Sequence, residues 1–335
     1  MTVAGPVEET TVEPEAAPKR RRSRRTAGEG RLAVILITPT LLLLGAVVGY
    51  PIVRAIYQSF LADQNLSGAF FNSGGSWTGL TNYKYWLLQQ CPSGGGTTSC
   101  PPGTLGSQFW DSVFFTLFVA VVTVTIETAI GMGFALVMNK AFRGRAIVRA
   151  VILIPWAIPT AVTTRLWSVI FDPQGILNHL TGAQVQWTSS VWPARFAIVI
   201  ADSWKTTPFI ALLILAGLQG ISADLYESAK LDGASAWQRF TKITLPLVKP
   251  ALAVAVIFRT LDALRMFDLP YILTGGANGT TTMSILVVKQ LLNGTYSASA
   301  LSTITFIFIF AISLGLVRLF NANIVGAQKP TKEAK

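Results

Sequence analysis

Long uninterrupted apolar runs constrain this chain more than any other feature. A helix rises 1.5 Å per residue, so about 20 apolar residues cross a hydrocarbon core of about 30 Å. Six stretches are long enough, and they lie at about 32–50, 109–138, 148–171, 193–218, 248–273 and 300–320. Lipid offers the backbone no hydrogen-bond partner, so each stretch is expected to be a helix. The sequence therefore predicts an all-α, polytopic membrane protein with six transmembrane helices.

The composition excludes two other classes of protein. Of the 335 residues, 51% are hydrophobic and only 13% are charged, whereas a soluble domain carries about 25% charged residues. A disordered chain is excluded because it needs low hydrophobicity and high charge. An ordinary soluble enzyme is disfavoured because the fraction of charged residues is well below that of a soluble domain.

The positions of Lys and Arg predict the orientation. Nineteen of the 27 basic residues fall in four segments. These are the segment before the first span, the connection between spans two and three, the connection between spans four and five, and the tail from Arg318 onward. The opposite loops, at about 61–108, 172–192 and 274–299, hold only Lys84 and Lys289. Short cytoplasmic loops retain positive charge, so both termini are expected to be cytoplasmic, in a bacterial-type cell membrane. The arginine run at 19–25 is then a topology signal, and no nucleic-acid partner is predicted.

Three regions are expected along the chain. Residues 1–30, acidic and then basic, are predicted to be disordered. The six-span domain covers 31–325, and a cytoplasmic tail covers 326–335. A cleaved signal peptide would have a shorter apolar region ending in small residues, whereas this one ends at Tyr50-Pro51, so a retained anchor is predicted.

The two cysteines, Cys91 and Cys100, lie in the outer loop at 61–108. A disulfide persists on that side of the membrane, so a bridge is expected, with two free thiols as the alternative. It would close a small loop and contribute about 2 to 3 kcal/mol. Two cysteines without a nearby cluster of His or carboxylates are too few for zinc, so no metal site is predicted.

The cytoplasmic connection between spans four and five, at 218–249, has a marked local pattern. Residues 224–250 read DLYESAKLDGASAWQRFTKITLPLVKP. A short amphipathic helix is expected to end at Asp232-Gly233, because glycine tolerates positive φ. A second helix is expected from Ala234 to Leu245, ending near Pro246. A plain hairpin that only links two spans is the alternative.

This loop resembles the EAA loop of the membrane subunits of ATP-binding-cassette (ABC) importers. The residues that carry the resemblance are Glu227, Ser228, Ala229, Asp232, Gly233, Ala234, Phe240, Ile243, Leu245, Pro246 and Pro250. Ser228 stands where the pattern has its middle alanine. The resemblance implies a type I permease fold and a coupling helix that fits a cleft of a cytoplasmic ATPase. In that role Glu227 would face a basic group of the partner, Asp232 would cap the second helix, and Gly233 would set the angle between them.

The resemblance also implies partners. This chain contains no GxxxxGK[ST] sequence, so it has no P-loop of its own, and ATP and Mg would bind to separate ATPase subunits. A second homologous permease subunit, two cytoplasmic ABC ATPases and an extracytoplasmic sugar-binding protein or lipoprotein complete the implied assembly. The chain itself is expected to be a transport subunit, not an enzyme, without a cofactor.

Two further stretches narrow the subgroup. WKTTPF at 204–209 and FRTLDALRMFDLPYILTGG at 258–276 resemble the carbohydrate-importing branch, particularly maltose- and trehalose-type permeases, although Ala277 replaces the usual proline. The implied function is import of a disaccharide or oligosaccharide delivered by the external protein. Another cargo, such as a glycerophosphodiester, a polyamine or an inorganic ion, is one alternative. An ATP-independent secondary transporter or channel is the other.

Charged residues inside the spans are the candidates for the substrate pathway, because ionisable groups in a membrane are costly and usually functional. They are Asp202, Trp204 and Lys205 in the fourth span, with Trp204 as a sugar-stacking surface, and Arg259, Asp262, Arg265 and Asp268 in the fifth. The last four alternate in sign at spacing three, so each is expected to meet its neighbour across one turn. They predict an outward-opening polar vestibule. Structural ion pairs, and an interface-belt role for Trp204, are the alternatives.

Three other titratable residues carry less information. Glu127 and Arg165 lie at unequal depths when residues are counted along their spans, so they are not expected to pair. His179, the only histidine, falls in an outer loop. No set of nucleophile, base and orienting residue is present, so no catalytic residue is predicted.

Overall fold

The computed structural model describes residues 27–63, 75–93 and 96–327. In these ranges the protein is helical apart from one short hairpin. The predicted disordered segment 1–30 lies outside the described residues except for its end, where the first helix begins. The predicted tail at 326–335 lies outside them from residue 328 onward.

The chain divides into two units, residues 1–52 and 53–335. The first contains helix α1 (Ala27–Leu44), a π-helical turn (Gly45–Gly49) and the start of α2 (Tyr50–Gln58). These elements follow one another without a break and include the first predicted span. Pro51 follows the π-helical turn inside this continuous helical run, where it removes one backbone N–H.

Four long helices carry most of the second unit. They are α4 (Phe109–Asn139), α8 (Val191–Gln219), α11 (Leu245–Leu264) and α14 (Thr295–Ala327). With the helical run 34–58, the described residues contain five helices that are long and apolar enough to cross a membrane. The count becomes six if the bent pair α5 (Arg145–Ala157) and α6 (Thr160–Ile170) forms one span.

That bend corrects the expectation of one continuous helix over 148–171. The axes of α5 and α6 differ by 94° at a break of two residues, Ile158 and Pro159. A residue before proline is driven out of the α conformation, and Ile158 is extended with ψ 132°. The carbonyl oxygen of Ile158 instead accepts a hydrogen bond from Lys205 Nζ at 2.5 Å.

The predicted fifth span is also interrupted. Helix α11 ends at Leu264, and a short helix, α12 (Asp268–Thr274), begins after three residues. Residues beyond Leu264 therefore do not continue the face of α11, and the expected one-turn spacing fails there.

Small residues bring α4, α8 and α11 close together. A Cβ on Gly131 of α4 would lie 3.0 Å from Ile210 of α8, and one on Gly217 of α8 would lie 2.4 Å from the Cβ of Ala251 in α11. Such contacts are tighter than ordinary van der Waals packing, so only glycine fits without displacement. Close backbone approach through small residues is the usual way in which membrane helices pack.

The predicted outer loops contain further ordered structure. Helix α3 (Thr81–Leu87) precedes a hairpin of β1 (Gln90–Ser93) and β2 (Gly96–Ser99), and α7 (Ile176–Thr181) and α13 (Met283–Leu291) lie in the later loops. A disulfide joins Cys91 to Cys100 across the hairpin. The carboxylate of Asp63 accepts the N–H groups of Tyr296 and Ser297, each at 2.7 Å, and so caps α14.

The connection between α8 and α11 differs from expectation in two respects. It comprises α9 (Ala223–Leu231), α10 (Ala236–Arg239) and a π-helical turn (Phe240–Thr244) that runs directly into α11. The expected stop near Pro246 is wrong, because the helical run continues from the π-helical turn through Pro246 into α11. Ser235, not Asp232, caps the second helix, in a reciprocal capping box with Gln238.

Candidate functional site

A buried arginine on α11 connects three helices. Arg259, whose side chain is 1% exposed, donates from Nε to Glu127 Oε2 of α4 at 2.6 Å and from Nη2 to Glu127 Oε1 at 3.0 Å. Its Nη2 also pairs with Asp202 Oδ2 of α8. We call Arg259, Glu127 and Asp202 the ion cluster. Its two carboxylates and one guanidinium carry a formal charge of −1.

Hydrogen bonds complete the surroundings of Glu127. The hydroxyl of Thr206, one turn after Asp202, lies 2.6 Å from Glu127 Oε1 and 2.7 Å from the carbonyl oxygen of Asp202. The carboxylate is fully shielded from solvent. Buried charges are tolerated when they are paired and hydrogen-bonded, so the cluster holds α4, α8 and α11 in one register.

Sequence reasoning missed Glu127 as a member of this cluster. The count of residues along the spans compared Glu127 only with Arg165, found unequal depths and gave it no partner. The three side chains meet once the helices have packed, although their positions along the spans are unequal. An acid within a long apolar run was the signal that the sequence offered.

Of the one-turn pairs expected in the fifth span, Arg259 with Asp262 is present among the described residues, and the pairs that involve Arg265 and Asp268 are not. Arg259 Nη1 reaches Asp262 Oδ2 at 3.3 Å, but the side chain of Asp262 remains 64% exposed. Arg265 ends α11 and Asp268 begins α12; both are exposed, and neither forms an ion pair with another described residue. Asp262, Arg265 and Asp268 are thus exposed, and Asp262 is joined to the buried ion cluster through Arg259.

Trp204 and Lys205 point to different neighbours. The ring of Trp204 packs edge-on against Trp167 at 5.8 Å and lines an apolar groove of about 490 Å³ between α4, α5 and α8. Lys205 reaches the bend at Ile158 instead. Neither residue hydrogen-bonds to Arg259, so the predicted group in the fourth span is divided.

The connection between α8 and α11 forms an elbow, defined here as residues 223–244. The N–H of Ala234 donates to Ala229 O at 2.9 Å, and that of Asp232 donates to Ser228 O at 3.0 Å. Gly233, with φ +76°, makes the turn between them. The hydroxyls of Tyr226 and Thr244 lie 3.0 Å apart, so α9 is tied to the base of α11.

The outer surface of the elbow is free within this chain. Glu227, Ser228 and Asp232 are exposed, and Ala229 and Ala234 are partly buried. Leu231 and Trp237 are 90% and 70% exposed. Large apolar side chains presented together with a carboxylate are typical of a surface that binds another protein.

Comparisons with known proteins agree with these features. Residues 127–326 match the family described as "Binding-protein-dependent transport system inner membrane component". The trehalose transport system permease protein SugA of Mycobacterium tuberculosis is 37% identical over 310 residues, covering 92% of this chain and 94% of that protein. The trehalose/maltose permease protein MalF of Thermococcus litoralis is 46% identical over 215 residues, covering 62% and 73%.

A solved structure shares the fold. A chain of a bacterial ABC transporter involved in the import of the polysaccharide alginate superposes with a TM-score of 0.69 at 21% identity. The match covers 90% of this chain and 98% of that one. At this identity the likeness supports the fold alone.

Proposed function

This chain belongs to the family of binding-protein-dependent transport system inner membrane components, and from that premise we propose that it is the sugar-conducting permease subunit of an ATP-driven importer. The observation that carries the proposal is the match to a trehalose permease along nearly the whole of both chains. Its cargo is then a disaccharide or oligosaccharide of the maltose or trehalose type. The chain conducts and does not catalyse; ATP and Mg bind to the partner ATPases.

The elbow is the proposed attachment point of an ATPase subunit. Its exposed Leu231 and Trp237 provide apolar contact area, and Glu227 provides a carboxylate for a basic residue of the partner. Because α10 continues through the π-helical turn into α11, a displacement of the elbow moves α11 directly.

The ion cluster passes that displacement on. Arg259 of α11 is bonded to Glu127 of α4 and to Asp202 of α8, so the three helices move together instead of sliding past one another. In the alternating-access cycle that we propose, ATP binding closes the ATPases, the elbow follows, and the pathway opens to the outside.

The exposed charges at the break between α11 and α12 are the proposed contacts of the sugar. Asp262, Arg265 and Asp268 are exposed in the isolated chain and carry hydrogen-bonding groups of both signs. Trp204 and Lys205 remain weaker candidates, since each already has a partner within the protein. A second homologous permease subunit would close the pathway on its open side.

The proposed assembly is completed by two ABC ATPases and an external sugar-binding protein. Six spans with both termini in the cytoplasm place the elbow on the ATPase side and residues 61–108 on the receptor side. The asymmetry of Lys and Arg along the sequence supports this orientation.

Charge reversal at the elbow tests the proposal. Glu227→Lys, in the complete importer reconstituted into vesicles, should abolish co-purification of the ATPase and ATP-dependent sugar uptake. Asp224→Asn, an exposed change on the same helix outside the motif, is the control. Uptake that persists in Glu227→Lys without a bound ATPase would refute the importer mechanism and favour a secondary transporter.

A further inference from the structure

A polar cavity lies at the N-terminal end of α4, apart from the ion cluster and the elbow. Its volume is about 320 Å³, at the lower end of the range of small-molecule sites. It is formed by the first turn of α4, by the loop that follows α12, and by α13. Its polar side chains are those of Gln108, Asp111, Ser112, Asn278, Thr281 and Lys289.

One wall of the cavity is a rigid loop with an unusual backbone. Gly275, Gly276, Asn278 and Gly279 all have φ between +53° and +70°. Arg195 holds this loop, because its Nε donates to Gly279 O at 3.0 Å while its guanidinium lies 4.9 Å from the centre of the Trp192 ring. A Cβ on Gly279 would lie 3.0 Å from Arg195 Nη2, so the close approach requires glycine. The wall is therefore preformed.

The cavity contains hydrogen-bonding capacity that the described residues do not use. Asp111 is exposed and forms no ion pair or hydrogen bond with them, although Lys289 lines the same cavity. Lys289 donates to Gly276 O at 3.3 Å, which leaves further N–H groups. Burial lowers the pKa of its ammonium from the usual value, as expected for a cation with few partners. Asn278 Nδ2 donates to Thr188 O, and Asn278 Oδ1 accepts no hydrogen bond from the described residues.

The chemistry of the lining favours a neutral polyhydroxyl ligand. One carboxylate and one ammonium sum to zero, so neither an anion nor a cation is matched as a whole. An apolar ligand would bury these groups without partners, at a cost of several kcal/mol. A sugar ring offers hydroxyls that donate to Asp111 and Asn278 and accept from Lys289, and it fits the volume.

We propose that this cavity is a carbohydrate subsite at the outer mouth of the permease, where a sugar ring is held before it enters the pathway. The inference rests on the proposed function for its sugar and its outward orientation. It adds a site that involves neither the α11–α12 charges nor the elbow.

The test is direct binding of trehalose to the purified, complete importer without its receptor, measured by saturation-transfer difference NMR. Loss of a hydrogen bond to a charged group corresponds to about tenfold or more in affinity. Asp111→Asn and Lys289→Met should therefore weaken binding at least tenfold. Asp172→Asn, an exposed acid in another predicted outer loop, is the matched control and should bind like the unmodified protein.

Three outcomes of these measurements would contradict the subsite, and they can be told apart. Equal binding by Asp111→Asn, Lys289→Met and the unmodified importer, with folding verified by circular dichroism, overturns the subsite. The subsite also falls if trehalose does not bind while receptor-stimulated ATP hydrolysis and sugar uptake remain intact, and the proposed function then stands. If the unmodified importer shows neither uptake nor stimulated hydrolysis with any disaccharide, the proposed function fails and the subsite with it.

Discussion

Removal of Arg259 is the sharpest perturbation of the fold. Arg259→Met keeps a side chain of similar length but deletes three hydrogen bonds to Glu127 and Asp202, whose residues are 0% and 6% exposed. Two carboxylates then remain buried without a cation. Breaking a buried ion pair by deleting one partner costs about 3 to 5 kcal/mol, and we expect a loss of this size.

The assay is denaturant unfolding in detergent, followed by tryptophan fluorescence. Arg265→Met, an exposed arginine six residues further along the chain with no ion pair to another described residue, is the control and should change stability by less than about 0.5 kcal/mol. In the Arg259→Met background, Glu127→Gln with Asp202→Asn removes the buried charges and should recover at least half of the loss. The reasoning is refuted if Arg259→Met is no less stable than Arg265→Met, or if neutralising both acids restores nothing.

Three further changes test the packing of the described residues. Replacing Cys91 and Cys100 by serine should lower stability by about 2 to 3 kcal/mol and should abolish any effect of a reductant on the unfolding midpoint. Gly217→Leu should cost about 1 to 3 kcal/mol, because a Cβ there already collides with α11, whereas Gly133→Leu, which meets nothing within 4 Å, should be tolerated in the same melting assay. Asp63→Ala removes the acceptor of two amides at the start of α14 and should cost about 1 to 2 kcal/mol, with faster hydrogen exchange at those amides.

The sequence predicts the helices well because lipid leaves the backbone no alternative. The apolar runs at 109–138 and 193–218 match α4 and α8 to within a few residues at each end. The assignment fails where a proline or a short break interrupts an apolar run, as at Pro159 and after Leu264. Hydropathy gives the length of an apolar run but contains no information about a bend within it.

The candidate site is only partly predictable, for a different reason. The elbow is local, and its turn at Gly233 follows from the order of residues along the chain. The ion cluster is not local, because Glu127 and Arg259 are 132 residues apart and meet only after α4 and α11 have packed. The packing of the helices, which no count along a span contains, decides which buried acids the arginine contacts.

The 94° bend divides the predicted third span into two short helices. With 13 and 11 residues, α5 and α6 are about 20 and 17 Å long, so neither reaches across a hydrocarbon layer of about 30 Å alone. In a soluble protein, water can donate a hydrogen bond to a peptide carbonyl at such a joint, whereas a hydrocarbon layer contains no donor. The ammonium of Lys205 donates a hydrogen bond to that carbonyl, so a residue predicted to line the pathway instead satisfies the backbone at the bend between two helices.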